Sequence, residues 1–299
     1  MPSSAETSVL RTVRDLVRWG ASEFARAGLY FGHGTDNALD EAFHLVLHAL
    51  RLPADLPAVY LEANVTTAER TAAVRLLRAR TRTRKPAAYL IGEIQFAGLT
   101  FHVDERVLIP RSPIGELILK RFEPWLPQEP EVILDLCAGS GCIGIACALA
   151  FPLARVDLAE TDAGALEVCR QNVELHRCAG RVRMIRTDVF SALKGSRYDL
   201  IVANPPYVPT AELKGLPAEY RHEPRVALDA GKDGMDVVAR ILAEAPEHLS
   251  ETGVLICEVG GSQPEFTARW PELPVIWMEF EHGGDGVFLI SRADLVGSR

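Results

Sequence analysis

The chain has 299 residues, 48% of them hydrophobic and 24% charged, with a formal net charge of −8. That length and balance describe an ordinary globular protein with one large core, or one core plus a small appended domain. The acidic balance weighs against a protein held on nucleic acid mainly by phosphate contacts, and the longest mostly apolar stretch, CIGIACALAF at 142–151, falls far short of the roughly 20 residues that cross a bilayer.

In chain order, the first twenty-five residues mix acids, arginines and apolar residues at helical spacing, without the apolar core and small-residue cleavage site of an export signal. Together with six cysteines, this predicts a cytoplasmic protein with reduced thiols. Cys137, Cys142 and Cys147 recur every five residues with no Cys-x-x-Cys pair, so no metal is expected. From residue 5 to about 85, apolar residues at helical spacing (Val9, Val13, Leu16, Val17; Phe43, Val46, Leu47, Leu50; Val74, Leu76, Leu77) predict helices only. Thr35 or Asp36 is read as the cap of the helix after GHGTDN. In that helix His44 and His48 stand four apart, but HLVLH lacks the glutamate of a hydrolytic zinc helix. RLLRARTRTRK at 75–85 carries Arg75, Arg78, Arg80, Arg82, Arg84 and Lys85, read as a solvated helix end with RNA or an acidic surface as the alternative partner. Alternation around Gly92 and Gly98 predicts a β-hairpin linker over 86–110.

From 131 onward, seven short β-rich runs (EVILDL, RVDLA, RVRMIR, YDLIVA, GVLICEV, PVIWMEF, GVFLIS) alternate with helical segments at 142–150, 163–176, 235–249 and 262–269. This predicts an α/β fold with a mostly parallel sheet covered by helices. The last two strands, joined only by EHGGD, are expected to form an antiparallel edge pair.

VILDLCAGSGCIG contains Gly139, Gly141 and Gly144 in the G-x-G-x-x-G spacing, so a nicotinamide-dependent oxidoreductase has to be considered. Asp135 decides against it. A pyrophosphate wants a bare helix N-terminus, whereas the ammonium and sulfonium of S-adenosylmethionine suit a carboxylate at the strand end. At the tip of the next strand Glu160 is the candidate acceptor for the ribose hydroxyls, while Asp157, inside the strand pattern, reads as a solvent-facing or loop-pairing acid. Asp188, after the third strand, is placed to accept from an adenine amino group or else to cap a helix over FSAL.

The fourth strand delivers Asn204, Pro205, Pro206 and Tyr207 to the edge where open α/β sheets bind ligands. If the Asn204 side-chain oxygen and the Pro205 carbonyl each accept one hydrogen of a planar NH2, the nitrogen is fixed and its lone pair aimed, which needs no strong base. Pro205 and Pro206 stiffen the mount, and the Tyr207 ring offers a packing face near a cationic centre.

DLCAGSG with NPPY resembles the adenosylmethionine-dependent methyltransferases that act on planar nitrogen, whose members include DNA adenine and protein glutamine enzymes. FAGLTFHVDERVLIPRSPIGELI at 96–118 and EYRHEPRVALDAGKDGM at 219–235 resemble the HemK-type glutamine methyltransferases. FGHGTDNALDEA at 31–42 and PRSPIGE at 110–116 resemble the branch acting on large-subunit ribosomal protein three rather than the release-factor branch.

The resemblance implies a Rossmann-like class I methyltransferase domain over 111–299, a helical substrate-recognition domain over 1–85 and the linking hairpin between. It further implies substrate contact by Asn204, Pro205, Pro206 and Tyr207, and S-adenosylmethionine held by Asp135, Cys137, Ala138, Gly139, Ser140, Gly141, Glu160, Asp188, Val189 and Asn204. The expected partner is a large-subunit ribosomal protein; release factors, DNA adenine and a non-catalytic ribosome assembly role are the alternatives. Glu160 stands where the family usually has aspartate, Ala138 where threonine is common, and Val189 where the release-factor branch often has tryptophan.

Overall fold

The computed structural model describes residues 7–126 and 128–298, which divide into two compact units: Met1–Ile94 with Pro217–His222, and Gln95–Leu216 with Glu223–Arg299. The boundary falls inside a β-strand rather than at residue 85, and a short segment from far down the chain joins the first unit.

The first unit is helical: α1 (Val13–Arg26), α2 (Ala38–Leu50), α3 (Thr67–Thr83) and the short α4 (Ala87–Ile91). Capping boxes start α1 (Thr12 with Asp15) and α3 (Thr66 with Glu69), each meeting amides that the helix itself leaves unpaired. α2 is capped by Asn37, whose side chain accepts from the amides of Leu39 and Asp40, while Thr35, read from sequence as a cap, donates to Glu41 instead. The buried stripes meet in one core that includes Leu16, Phe24, Leu45, Val46 and Leu77. Val9 lies ahead of the Thr12 cap, outside α1, and is exposed.

This unit also buries charge. Arg80, with no exposed surface, donates through Nε to Glu41 at 2.6 Å and through Nη2 to the Tyr30 carbonyl at 2.9 Å. Glu219, from the inserted segment, lies 3.6 Å from Arg80 and 2.8 Å from Arg84 and accepts from the Tyr30 amide. Within the basic 75–85 stretch, Arg80 is therefore a core residue, and Arg75 and Arg82 are the exposed cations.

In the second unit, β1 (Glu93–Phe96) and β2 (Leu99–His102) form a two-stranded ribbon, followed by α5 (Ile114–Leu119). The main sheet then runs β3 (Val132–Leu136), α6 (Cys142–Ala150), β4 (Arg155–Glu160), α7 (Ala163–Leu175), β5 (Val182–Arg186), β6 (Tyr198–Ala203), α8 (Asp236–His248), β7 (Leu249–Glu258), α9 (Gln263–Arg269), β8 (Ile276–Trp277) and β9 (Val287–Ser291), with α10 (Arg292–Gly297) at the end. Its seven strands lie in the order β5-β4-β3-β6-β7-β9-β8. β3 to β7 pair in parallel, and β9 runs antiparallel to both β7 and β8, as the short EHGGD connection requires. The strands are nearly continuous apolar runs because helices cover both faces, the usual condition of parallel sheets.

The first strand sits inside the sheet, with β4 on one side and β6 on the other, so the connections leaving β3 and β6 turn in opposite directions. A crevice opens at such a switch point, outside the carboxyl ends of the strands. Register brings Leu136 level with Ala203, so the residues after them, Cys137 and Asn204, emerge at the same edge. No helix among the described residues is long and apolar enough to cross a membrane.

Candidate active site

At that edge, Cys137, Ala138, Gly139, Ser140, Glu160, Asn204 and Pro206 line one cleft together with the segment 106–112 and Pro224, Val226 and Ala227. The loop after β3 turns through left-handed backbone at Cys137, Gly139 and Gly141 (φ 58°, 54° and 79°). Gly139 has open space where a Cβ would stand, so its backbone faces the cleft bare; Gly141 is the residue from which α6 springs. Gly144, third glycine of the spacing, serves packing: a Cβ there would fall 2.1 Å from Leu158 and 2.9 Å from the Asp135 Cβ.

Asp135 is buried behind this loop. Its Oδ2 accepts from the Gly144 amide at 2.8 Å, while Oδ1 is buried with no hydrogen-bond partner among the described residues. Burial pushes its pKa up to about 7, and the nearby Glu160 carboxylate adds to the shift. A buried oxygen without a donor is costly unless a ligand supplies one.

Glu160, at the tip of β4, folds back on the loop: Oε2 accepts from the Gly139 amide at 2.9 Å, and Oε1 from the amides of Thr161 and Asp162 at 2.8 and 2.9 Å. A carboxylate has about four acceptor sites, so three bonds leave room for one further donor rather than two. The Cys137 thiol is pushed far up by burial, reinforced by the charges of Glu160 and Asp135. It is a neutral wall group, not a nucleophile.

Asn204 is half-buried on the cleft wall, and among the described residues neither its side chain nor the Pro205 carbonyl makes a hydrogen bond. The Asn204 side chain is thus an open acceptor on the cleft wall, and the carbonyl of the buried Pro205 next to it has no partner among the described residues. Tyr207 does not line the cleft: its hydroxyl donates to Glu258 at 3.0 Å, its carbonyl accepts from the Ser262 hydroxyl at 2.7 Å, and its ring packs flush against Gly260. Asp135, Gly141, Asp188, Val189, Pro205 and Tyr207 lie outside the cleft wall proper. Asp188 is exposed and ion-paired with Arg240 at 2.8 Å. No helix forms over FSAL, so Asp188 caps nothing; Val189 beside it is buried in left-handed backbone (φ 49°), a costly conformation for a β-branched residue.

Asp157 is neither solvent-facing nor paired with a loop. It lies buried in the sheet, accepting from Arg183 (2.6 Å) and from the Tyr198 hydroxyl (2.9 Å). These residues line a second concavity at the amino ends of the strands, on the edge opposite the switch point. Its Arg181 donates to the carbonyls of Phe151, the C-cap of α6, and of Ala154 beyond it, and its Arg197 to the carbonyls of Pro246 and Leu249 at the end of α8, where helix dipoles favour cations. Arg181, Arg183 and Arg197 thus have structural partners, while Arg155 is exposed and makes no side-chain hydrogen bond or ion pair among the described residues.

Residue-by-residue reasoning did not single out Arg111, Ser112, Glu223 or Glu258. Arg111 pairs with Glu223 through both Nη atoms, and Glu223 also accepts from the Ile109 amide. Ser112 donates to Glu258 at 2.5 Å. The available signal was the charged PRSP and RHEP stretches and an acid closing the apolar run LICE.

The family described as Methyltransferase small domain matches residues 115–216. The ribosomal protein uL3 glutamine methyltransferase of Francisella tularensis is 44% identical over 289 residues, covering 96% of this chain and 92% of that protein. Its namesake from Bordetella pertussis is 46% identical, covering 96% of this chain and 97% of that protein. Among solved structures, the catalytic domain of hMettl16, determined in complex with MAT2A 3'UTR hairpin 6, superposes with a TM-score of 0.51 at 17% identity over 75% of this chain and 80% of that one. That likeness bears on the fold alone: the sheet is that of a class I, Rossmann-like methyltransferase.

Proposed function

This chain belongs to the family of ribosomal protein uL3 glutamine methyltransferases, and from that premise we propose that it methylates the side-chain amide nitrogen of a glutamine in uL3, with S-adenosylmethionine as donor. The observation that carries the reading is the unpartnered Asn204 side chain on the same cleft wall as the glycine loop, followed in the chain by the unpartnered Pro205 carbonyl.

The residues present fit this cofactor. Asp135 Oδ1 is a buried acceptor lacking a donor, which an ammonium supplies. The bare face of Gly139 admits close approach, and Glu160 retains capacity for one ribose hydroxyl. Cys137, Ala138, Ser140 and Gly141 complete the loop; the adenine role that the resemblance implies for Asp188 and Val189 has less support, since neither lines the cleft and Asp188 is paired with Arg240. The cofactor supplies an electrophilic methyl group on a cationic sulfur.

The chain's own contribution is orientation. An amide nitrogen is a weak nucleophile because its lone pair is delocalised. Held by its two hydrogens against Asn204 and Pro205, it presents that lone pair along one direction, and such positioning is worth up to about 7–11 kcal/mol in ideal cases. Asn204 and Pro205 accept those hydrogens, Pro206 stiffens the turn, and Tyr207 anchors it from behind. The leaving proton passes to solvent once the nitrogen carries the methyl group, so no buried base is required.

The helical unit is the proposed holder of the protein substrate, and the cytoplasm the proposed location. An RNA contact through residues 75–85 would rest on Arg75 and Arg82. The deciding experiment incubates the protein with labelled cofactor and, separately, unmodified uL3, release factors and unmethylated DNA. Label is expected in uL3, at a glutamine; label confined to release factor or to DNA would overturn the assignment.

The Asp135 environment gives a pH signature. Its folded pKa of about 7 lies above the ordinary 3.8, so in the cofactor-free protein the group favours folding when protonated, and that stability is lost as pH rises toward and through about 7. An ammonium ligand needs the ionised form, so cofactor affinity should weaken as pH falls below 7, approaching roughly tenfold per unit. Methylthioadenosine, which lacks the ammonium, should show no such trend in calorimetric titrations from pH 5.5 to 7.5. Equal pH dependence for both ligands would remove Asp135 from the ammonium site.

A further inference from the structure

Glu258 ends β7, one residue beyond the register pair Ala203 and Cys257, so it stands beside the start of the Asn204–Tyr207 turn. It is 5% exposed, and its carboxylate takes two hydroxyl donors from different parts of the chain: Ser112 on Oε2 at 2.5 Å and Tyr207 on Oε1 at 3.0 Å. Ser112 is on the cleft wall and also accepts from the Ile114 amide, fixing the start of α5. Three close approaches remove the remaining freedom of Tyr207. Its ring lies where a Cβ on Gly260 would be 2.7 Å away, its carbonyl where a Cβ on Gly234 would be 2.4 Å away, and Ser262 donates to that same carbonyl.

A buried carboxylate is costly, and replacing such a group by an apolar one is often neutral or stabilising. Here it joins the cleft-lining segment 106–112, through Ser112, to the turn after β6, through Tyr207. Burial pushes the Glu258 carboxyl up, against the two hydroxyls and the Arg111 charge that favour its ionised form.

We propose that Glu258 is a positioning residue for methyl transfer: through the hydroxyls of Tyr207 and Ser112 it locks the Asn204-Pro205-Pro206-Tyr207 turn to the cleft-lining segment 106–112 and so aims the Asn204 and Pro205 acceptors. The proposal rests on the glutamine methyltransferase reading of the same site. It assigns Tyr207 an anchoring hydroxyl in addition to its ring.

The test uses purified full-length protein, labelled S-adenosylmethionine and unmodified uL3, comparing wild type with Tyr207→Phe, Glu258→Gln, the double variant and Ser112→Ala. Wild-type turnover on uL3 tests the reading itself; the ratios among variants test the inference. Each single variant at 207 or 258 should lose about tenfold or more in kcat while cofactor affinity stays within about twofold, because a hydrogen bond to a charged group is removed without touching the cofactor. The double variant should lose no more than the worse single one, since both break the same link. Ser112→Ala should lose less than Tyr207→Phe, since it leaves the Tyr207 bond intact. Unchanged kcat in a Tyr207→Phe protein with wild-type melting temperature, or multiplicative losses in the double variant, would overturn the proposal. Should Glu258→Gln fail to fold, Tyr207→Phe and Ser112→Ala, which bury no new polar group, still decide it.

Discussion

Asn204→Ala is expected to lower kcat by about 10²–10³-fold, the loss typical of removing one preorganised hydrogen-bonding group from a reaction centre. Cofactor dissociation should change by no more than about twofold, because the side chain makes no bond to the glycine loop or to Glu160 among the described residues. The physical reason is the geometry at the end of β6. Asn204 and the Pro205 carbonyl are adjacent acceptors with no internal partner among the described residues, so removing one leaves the target nitrogen free to rotate about the other. The checks are single-turnover transfer to uL3 and calorimetric titration of the cofactor. Parallel loss of transfer and cofactor affinity would mean that Asn204 holds the cofactor instead.

The largest stability effect is expected at Arg80→Met, about 3–5 kcal/mol of unfolding free energy, the cost of breaking a buried ion pair from one side. The guanidinium joins α3 to Glu41 of α2 at 2.6 Å, to the Tyr30 carbonyl at 2.9 Å and to the Arg84 carbonyl at 3.0 Å. Its removal strands Glu41, which is 1% exposed. Burial already outweighs Arg80 in pushing the Glu41 pKa up, so in the variant this carboxyl must protonate or reach water. The penalty should therefore shrink as pH falls and Glu41 takes up a proton. Urea unfolding of wild type and variant at pH 5 and pH 8 measures both the size and the trend, and Glu41→Gln in the Arg80→Met background should recover part of the loss. A cost below about 1 kcal/mol, the range of exposed pairs, would show that the cluster is hydrated rather than buried.

These two residues show how unevenly the sequence discloses its contents. Asn204 was legible because its chemistry is local: an amide and two prolines directly after an apolar run have a position in an α/β sheet that follows from strand counting. The seven strands, the antiparallel edge and the glycine loop were legible for the same reason, since period, length and punctuation are properties of neighbours in the chain. Arg80 was not. In RLLRARTRTRK it is one cation among six, and helical periodicity gives no sign that a carboxylate 39 residues earlier and another 139 residues later meet it. Glu160 was placed at its strand tip from sequence, but its fold-back onto the Gly139 amide occurs in a loop whose shape only the folded backbone defines.

By itself, then, the sequence determined the class of fold and the edge of the sheet where the glycine loop, Glu160 and Asn204 meet, all consequences of short-range pattern. Only the tertiary structure decided which polar groups are already partnered. Asp157 is taken up by Arg183 and Tyr198, Tyr207 and Ser112 by Glu258, and Glu223 by Arg111, while one oxygen of Asp135 and the acceptors at Asn204 and Pro205 stay open. The reason is that satisfaction of a hydrogen-bonding group is a question of distance in space, and the partners here lie tens to more than a hundred residues apart along the chain.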